Sequence, residues 1–189
     1  MVTTRQRMDT GPDPKTKLTY EDYAKTPDDE RWELIDGELI PTASPTVPHQ
    51  SVDARLGAEF STLVKQGLGS VFHSIDVVLS PHNTFRSDLI FVSSERAGII
   101  THANIQGAPD LMVEIRSPST AGLDEVTKRE LYERYGVKEY WLADPEAQTV
   151  TVLLLGENGY ETVGIYAKGD TLTSPTLEGF IIDLNEIFA

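Results

Sequence analysis

"PDLMVEIRSPS", Pro109 to Ser119, sets an apolar run around two acids, Asp110 and Glu114, and ends in Arg116 and a Ser-Pro-Ser turn. A run of Leu, Met, Val and Ile this short, bounded by prolines, reads as a strand buried in a sheet. Four residues apart on a strand, Asp110 and Glu114 share a face but lie ~13 Å apart along the chain. One cation with oxygen ligands at 2.0–2.6 Å cannot touch both. Asp110, next to Pro109, is therefore expected at the start of the strand in a structural role. Glu114, between Val113 and Ile115, is either an acid on a solvent-facing side or one that needs a partner or a metal.

Asp88 raises the same question, because it opens the run "DLIFV". Crossing to a neighbouring strand costs only ~4.8 Å, against ~3.3 Å for each residue along one. Asp88 and Glu114 are thus suited to share one Mg²⁺, which takes one or two carboxylates and keeps positions for water and phosphate. Two cations are candidates to stabilise charge in a transition state: Arg116, and Lys128 on the following helix. Asp124, Lys128 and Tyr132 fall at i, i+4 and i+8 on one helix face, a pattern that also suits an ordinary surface ion pair.

Working outward, residues 1–17 are rich in Pro, Thr, Asp and Lys without periodicity and read as a flexible arm, leaving 18–189 as the folded domain. Leu18–Pro27 predicts a short helix with Thr19 as its N-cap. "RWELIDGELIPT" predicts a hairpin about Asp36-Gly37. Val52, Leu56, Phe60 and Leu63 recur at helical spacing before Gly67. Ser70–Ser80 and Asp88–Ser93 read as strands, and Ser94–Ala108 as a long loop. A helix over about Leu123–Tyr135, with Leu123, Thr127, Leu131 and Tyr135 inward, ends at Gly136. "KEYWLAD" reads as a strand, and "QTVTVLLL" and "YETVGIYA" as a hairpin about "GENG". The tail "FIIDLNEIF" reads as a closing strand or a short helix. This order predicts an α/β or α+β domain with a mixed central sheet flanked by helices.

The chain of 189 residues has a net charge of −14 and no cysteine. Thiol catalysis and cysteine-held metals are excluded. There is no apolar run of the ~20 residues a membrane helix needs, and the N-terminus lacks the apolar centre of a signal peptide; a cytoplasmic protein without membrane contact is expected. Such acidity favours solubility and opposes binding of a polyanion unless cations converge locally. His73, His82 and His102 show no metal-ligand spacing and read as surface or loop residues. Trp32, Tyr132, Tyr140 and Trp141 suit either base stacking or the core. Phosphate loops, serine elbows and zincin helices are absent.

The ordered set "DLIFV", "PDLMVEIRSPST", Lys128, "LY", "GVKEYWLADPE" and "GDTLTSPTLEGFIIDLNEIF" resembles the bacterial Uma-two family of restriction-endonuclease-like proteins in the PD-(D/E)XK nuclease superfamily. The resemblance runs over nearly the whole chain after the arm and includes the N-terminal helix, hairpin and Pro-His turn. It implies a restriction-endonuclease-like core with a mixed sheet of four or five strands, and a Mg²⁺- or Mn²⁺-dependent endonuclease cutting DNA. Asp88 and Glu114 would take the two acidic positions, Glu33 would add a third metal ligand, and His49 would orient groups or act as general base. Arg116 stands where the pattern has lysine and cannot give up a proton, so Lys128 becomes the alternative cation. Ser87 replaces the motif's proline. A homodimer through a surface near Lys138–Trp141 would suit the superfamily's habit. The alternatives are a catalytically silent nuclease fold serving as a binding or assembly module, and a nuclease for RNA or branched DNA.

Overall fold

The computed structural model describes residues 17–27, 30–42, 44–117 and 124–189, without the side chains of Asp124 and Glu125. The expected arm lies outside the described residues apart from Lys17, as do Pro118 and Ser119 of the expected turn and Leu123 of the expected helix stripe.

A helical turn, α1 (Tyr20–Tyr23), starts at Thr19, whose backbone and side chain both bond Asp22. The hairpin β1 (Trp32–Ile35) and β2 (Glu38–Pro41) turns at Asp36 and Gly37, with φ of 48° and 84°. Two consecutive positive φ values give the turn whose twist matches its strands, and Asp-Gly is among the few pairs that adopt it cheaply. Helix α2 (Val47–Lys65) is capped by Thr46, has Pro48 in its first turn, and stops before Gly67 at φ 74°. Pro48 removes an amide that would have had no partner there.

Strand β3 (Gly69–His73), strand β4 (Val77–Ser80), strand β5 (Asn83–Phe85) and strand β6 (Leu89–Ser93) follow. The stretch 70–80, expected as one strand, is two. Ser74 takes φ 49° and breaks the extended run, sending β3 and β4 into different sheets. The expected loop 94–108 carries a 3-10 turn (Ser94–Ile99) and a short strand β7 (Ile105–Gln106). Then come β8 (Leu111–Ile115), a π-helical turn (Asp124–Lys128), α3 (Arg129–Tyr135) and β9 (Glu139–Asp144). The predicted hairpin is β10 (Thr149–Gly156) with β11 (Gly159–Ala167). The tail is both expected things at once: β13 (Ile181–Asp183), paired with β12 (Thr171–Thr173), runs into the short helix α4 (Leu184–Ile187).

The main sheet has six strands, in the order β11-β10-β9-β8-β6-β3, rather than four or five. All its pairs are antiparallel except β8 with β9. A parallel pair needs a crossover, and the segment holding α3 supplies it. A second sheet has the order β2-β1-β5-β4-β7. The fold is thus α/β with a mixed central sheet flanked by helices.

Alternation along the main sheet decides what each face meets. Leu89, Phe91, Leu111, Val113, Ile115 and Trp141 pack with α2 residues Val52, Leu56, Phe60 and Leu63. Ile90, Val92, Met112 and Tyr140 pack with Leu131 and Tyr132 of α3 and with Ile35, Val77 and Phe85 of the second sheet. Both faces are covered, so central strands read as continuous apolar runs rather than alternating ones. By the same alternation Glu114 belongs to the α3 face.

Candidate active site

The chain passes from the second sheet to the main one at residues 86–88, between β5 and β6, and the site is built at that crossing. Ser87 is fully buried and its hydroxyl donates to the Val113 carbonyl at 2.8 Å. This clamps the start of β6 onto β8. Leu89 lies opposite Val113, so one step outward places the backbone of Asp88 opposite Glu114. In an antiparallel pair, opposed Cα atoms lie ~4.5–5.5 Å apart. The Asp88 carboxylate accepts the Ile115 amide on Oδ2 at 2.7 Å.

Glu114 points into the α3 face. Its Oε2 receives Lys128 Nζ at 3.0 Å, and its Oε1 receives the Tyr132 hydroxyl at 2.7 Å. Lys128 and Tyr132 sit one helical turn apart and so present to the same side. The π-helical turn ends at Lys128, and such turns recur at functional positions. Lys128 Nζ also lies 3.0 Å from Glu33 Oε1 on β1, and the Arg86 amide donates to that same oxygen at 3.2 Å. The side chains of Glu33, Lys128 and Glu114 are only 3%, 5% and 6% exposed. Two carboxylates thus meet at one ammonium in a buried place, where charged groups are costly unless paired and hydrogen-bonded. Burial, followed by the Glu114 charge, pushes the Tyr132 phenol well above its ordinary range. It therefore remains a neutral donor.

Asp88 is held from the other helix. His49 Nε2, in the first turn of α2, lies 3.2 Å from Asp88 Oδ2. Burial works against the imidazolium, but the hydrogen bond and charge of Asp88 outweigh it and raise the His49 pKa. His49 Nδ1 is buried without a hydrogen-bond partner, and Asp88 Oδ1 accepts from no described residue. Close by, His73 Nδ1 pairs with Asp53 Oδ1 at 2.8 Å, and the Asp53 hydrogen bond raises its pKa despite partial burial. Gly57 makes room for this ring, since a Cβ there would lie 2.7 Å from it.

The structure therefore joins Glu33, Glu114 and Lys128 in one cluster and Asp88 with His49 in another, the two meeting through the β6–β8 register. Among the described residues no three of His, Asp and Glu are grouped so as to hold a metal ion. Arg116 lies one residue beyond β8, where its Nη1 pairs with Asp144 Oδ2 at 2.7 Å. Asp110 has the structural setting expected of it, accepting the Ser93 amide and pairing with Arg96 and Lys138. The expected dimer surface at Lys138–Trp141 is corrected: Glu139, Tyr140 and Trp141 are fully buried, because this strand is covered on both faces. His73 is exposed on β3 and His82 lies in the turn between β4 and β5, as expected of surface or loop residues; His82 Nδ1 bonds the Leu18 carbonyl at 2.7 Å.

Sequence reasoning missed the Asp53–His73 pair and the bond from Tyr132 to Glu114. A signal existed for the second, since Tyr132 shares a helix face with Lys128 and an acid in a buried strand needs donors.

The Uma2 family model, described as "Putative restriction endonuclease", matches residues 19–185. The chain belongs to the Uma2 family. The crystal structure of a "putative nuclease belonging to DUF820" from Anabaena variabilis shares the fold, with a TM-score of 0.76 at 21% identity, covering 90% of this chain and 97% of that one. No curated protein matches the chain. Among the described residues, no helix is long and apolar enough to cross a membrane.

Proposed function

We propose that this Uma2 protein is a metal-dependent nuclease that hydrolyses DNA phosphodiester bonds at the β6–β8 junction. The observation that carries the reading is Lys128, a buried ammonium shared between Glu33 and Glu114 on the sheet position next to Asp88.

The donors suit magnesium, which accepts a cage of one or two carboxylates and needs no set of three. Asp88, with an uncommitted oxygen and a side chain 20% exposed, and Glu114, opposite it on β8, would hold it. Glu33 would add a third ligand from β1, its Oε1 serving Lys128 and the Arg86 amide. When bound there, the ion supplies an activated water and neutralises charge on the scissile phosphate.

This chain's own residues do the rest. Lys128 provides a fixed positive charge for the transition state, in a buried setting where such charges act strongly. Arg116, drawn to Asp144, is less suited to that part. Tyr132 and Lys128 fix both oxygens of Glu114. His49 is held at Nε2 by Asp88 with Nδ1 uncommitted, an imidazole oriented by a carboxylate and able to hold a proton.

Net charge bears on how substrate is bound. At −14 the protein repels DNA at long range, so association leans on a divalent cation and local side chains. The test is cleavage of several DNA forms with and without Mg²⁺ or Mn²⁺, by wild type, Asp88→Ala and Glu114→Ala. Metal-dependent cutting that both substitutions abolish is expected. Cutting that survives them moves the site elsewhere, and inactivity of the wild type on every substrate favours a silent binding module.

A further inference from the structure

Helix α2 turns one narrow face toward the candidate site. His49, Asp53 and Gly57 fall on it at i, i+4 and i+8, a spacing that sets side chains one above the other. His49 Nε2 meets Asp88 Oδ2 at 3.2 Å, and Asp53 Oδ1 meets His73 Nδ1 at 2.8 Å. His73 ends strand β3 opposite Leu89, and the next residue, Ser74, donates its amide to the Ser87 carbonyl at 3.2 Å. Asp88 stands between those two partners. The contacts close a circuit: from Asp88 to His49, along α2 to Asp53, across to His73, and back to Asp88 through the β3–β6 pairing.

Gly57 shows how closely this circuit is drawn. A glycine inside a helix costs ~0.5–1 kcal/mol relative to alanine. A Cβ at Gly57 would lie 2.7 Å from Cε1 and Nε2 of the His73 ring, well inside the ~3.5–4.0 Å of ordinary contact. The ring would have to swing away and strain its bond to Asp53. The Asp53 side chain is only 15% exposed, which sets the pair apart from fully solvated ones that hold little. Electrostatics follow the same path. The Asp53 hydrogen bond raises the His73 pKa against partial burial, and the charge of Asp88 adds to it.

We propose that Asp53 and His73, seated on Gly57, are positioning residues that hold α2 against the start of β6 and so fix Asp88 and His49 for divalent-cation binding. The proposal rests on the nuclease reading and extends control of its metal site to a second His–Asp pair. A group that directly holds a metal ligand governs affinity by ~10–100-fold. His73 stands one step further out, so its effect is smaller.

The test titrates Mn²⁺ alone into the protein at fixed pH, reading free Mn²⁺ by electron paramagnetic resonance, with Asp88→Ala as the blank. Melting temperature and cleavage rate are followed alongside. Gly57→Ala alters no charge and favours the helix, so a purely structural role leaves Mn²⁺ binding unchanged. The proposal expects binding about threefold weaker in Gly57→Ala and in His73→Ala, with cleavage at saturating Mn²⁺ near the wild-type rate. In the double variant the loss should stay at that of His73→Ala, because the ring that the new methyl group displaces is gone. Gly57→Ala that binds Mn²⁺ as wild type does, or losses that multiply in the double variant, overturn the proposal and leave the nuclease reading standing. Unchanged binding in His73→Ala overturns it as well, even where Gly57→Ala fails to fold. A wild-type protein that binds no Mn²⁺ above the blank overturns the metal site, and this proposal with it.

Discussion

Two buried glutamates on adjacent parallel strands show opposite solutions to one problem. Glu139, on the α2 face of β9, is fully buried and accepts from Trp141 Nε1 at 2.6 Å, Ser174 Oγ at 2.7 Å, and the amide and hydroxyl of Thr176. Its charge is dispersed over neutral donors, and it staples the C-terminal segment to the sheet. Glu114, on the α3 face of β8, meets an ammonium that it shares with Glu33. A saturated acid belongs to the architecture. An acid held by a cation that it shares with a second acid is the kind of group the proposed metal site would use.

Breaking the second arrangement should give the largest effect. Lys128→Met removes the buried cation, and loss of one fixed stabiliser of transition-state charge costs ~10²–10³ in rate. Cleavage kinetics with Mg²⁺ check this; a rate within threefold of wild type would remove Lys128 from the mechanism. Glu139→Gln should instead act on stability. One acceptor oxygen becomes a donor facing donors, at about 3 kcal/mol, read by denaturant unfolding, with the cleavage rate at permissive temperature near that of wild type.

Tyr132→Phe sharpens the contrast. Its ring packs edge-on against Phe85 and Tyr140, and Phe keeps those contacts while releasing Glu114 Oε1. A loss near 1 kcal/mol in stability should accompany a raised Mg²⁺ requirement with KM for DNA unchanged. The smallest effect belongs to His73, half-exposed beside Asp53. Its raised pKa means that the pair's contribution is complete below the ordinary histidine pKa and is lost as pH rises through the raised one. The melting temperature lost in His73→Gln should therefore be larger near pH ~5.5 than near pH ~9.

Much of this was legible in the sequence. Asp36-Gly37 announced a hairpin because few pairs accept two positive φ values. Val52, Leu56, Phe60 and Leu63 announced a buried helix face, and Asp88 and Glu114 stood out as acids in apolar strands. The split of 70–80 did not show, because its hinge is Ser74, a residue without turn preference enough to outweigh the apolar run around it. The second sheet was hidden for the same reason: its strands are short, and pairing such as Leu34 with Thr84 leaves no local pattern. Glu139 sat in plain view two residues before Trp141, but its donors Ser174 and Thr176 come from far along the chain. Asp53 and His73 belong to different elements, so only tertiary packing brings them together.

Glu114→Gln, assayed for both cleavage and unfolding, tests the central contrast most directly. It removes the carboxylate of Glu114 while leaving Lys128 paired with Glu33 and the Tyr132 hydroxyl an acceptor. Metal-dependent cleavage should vanish while stability falls less than in Glu139→Gln. A Glu114→Gln protein that cuts DNA at the wild-type rate, or that unfolds more readily than Glu139→Gln, would show that Glu114 serves the fold alone.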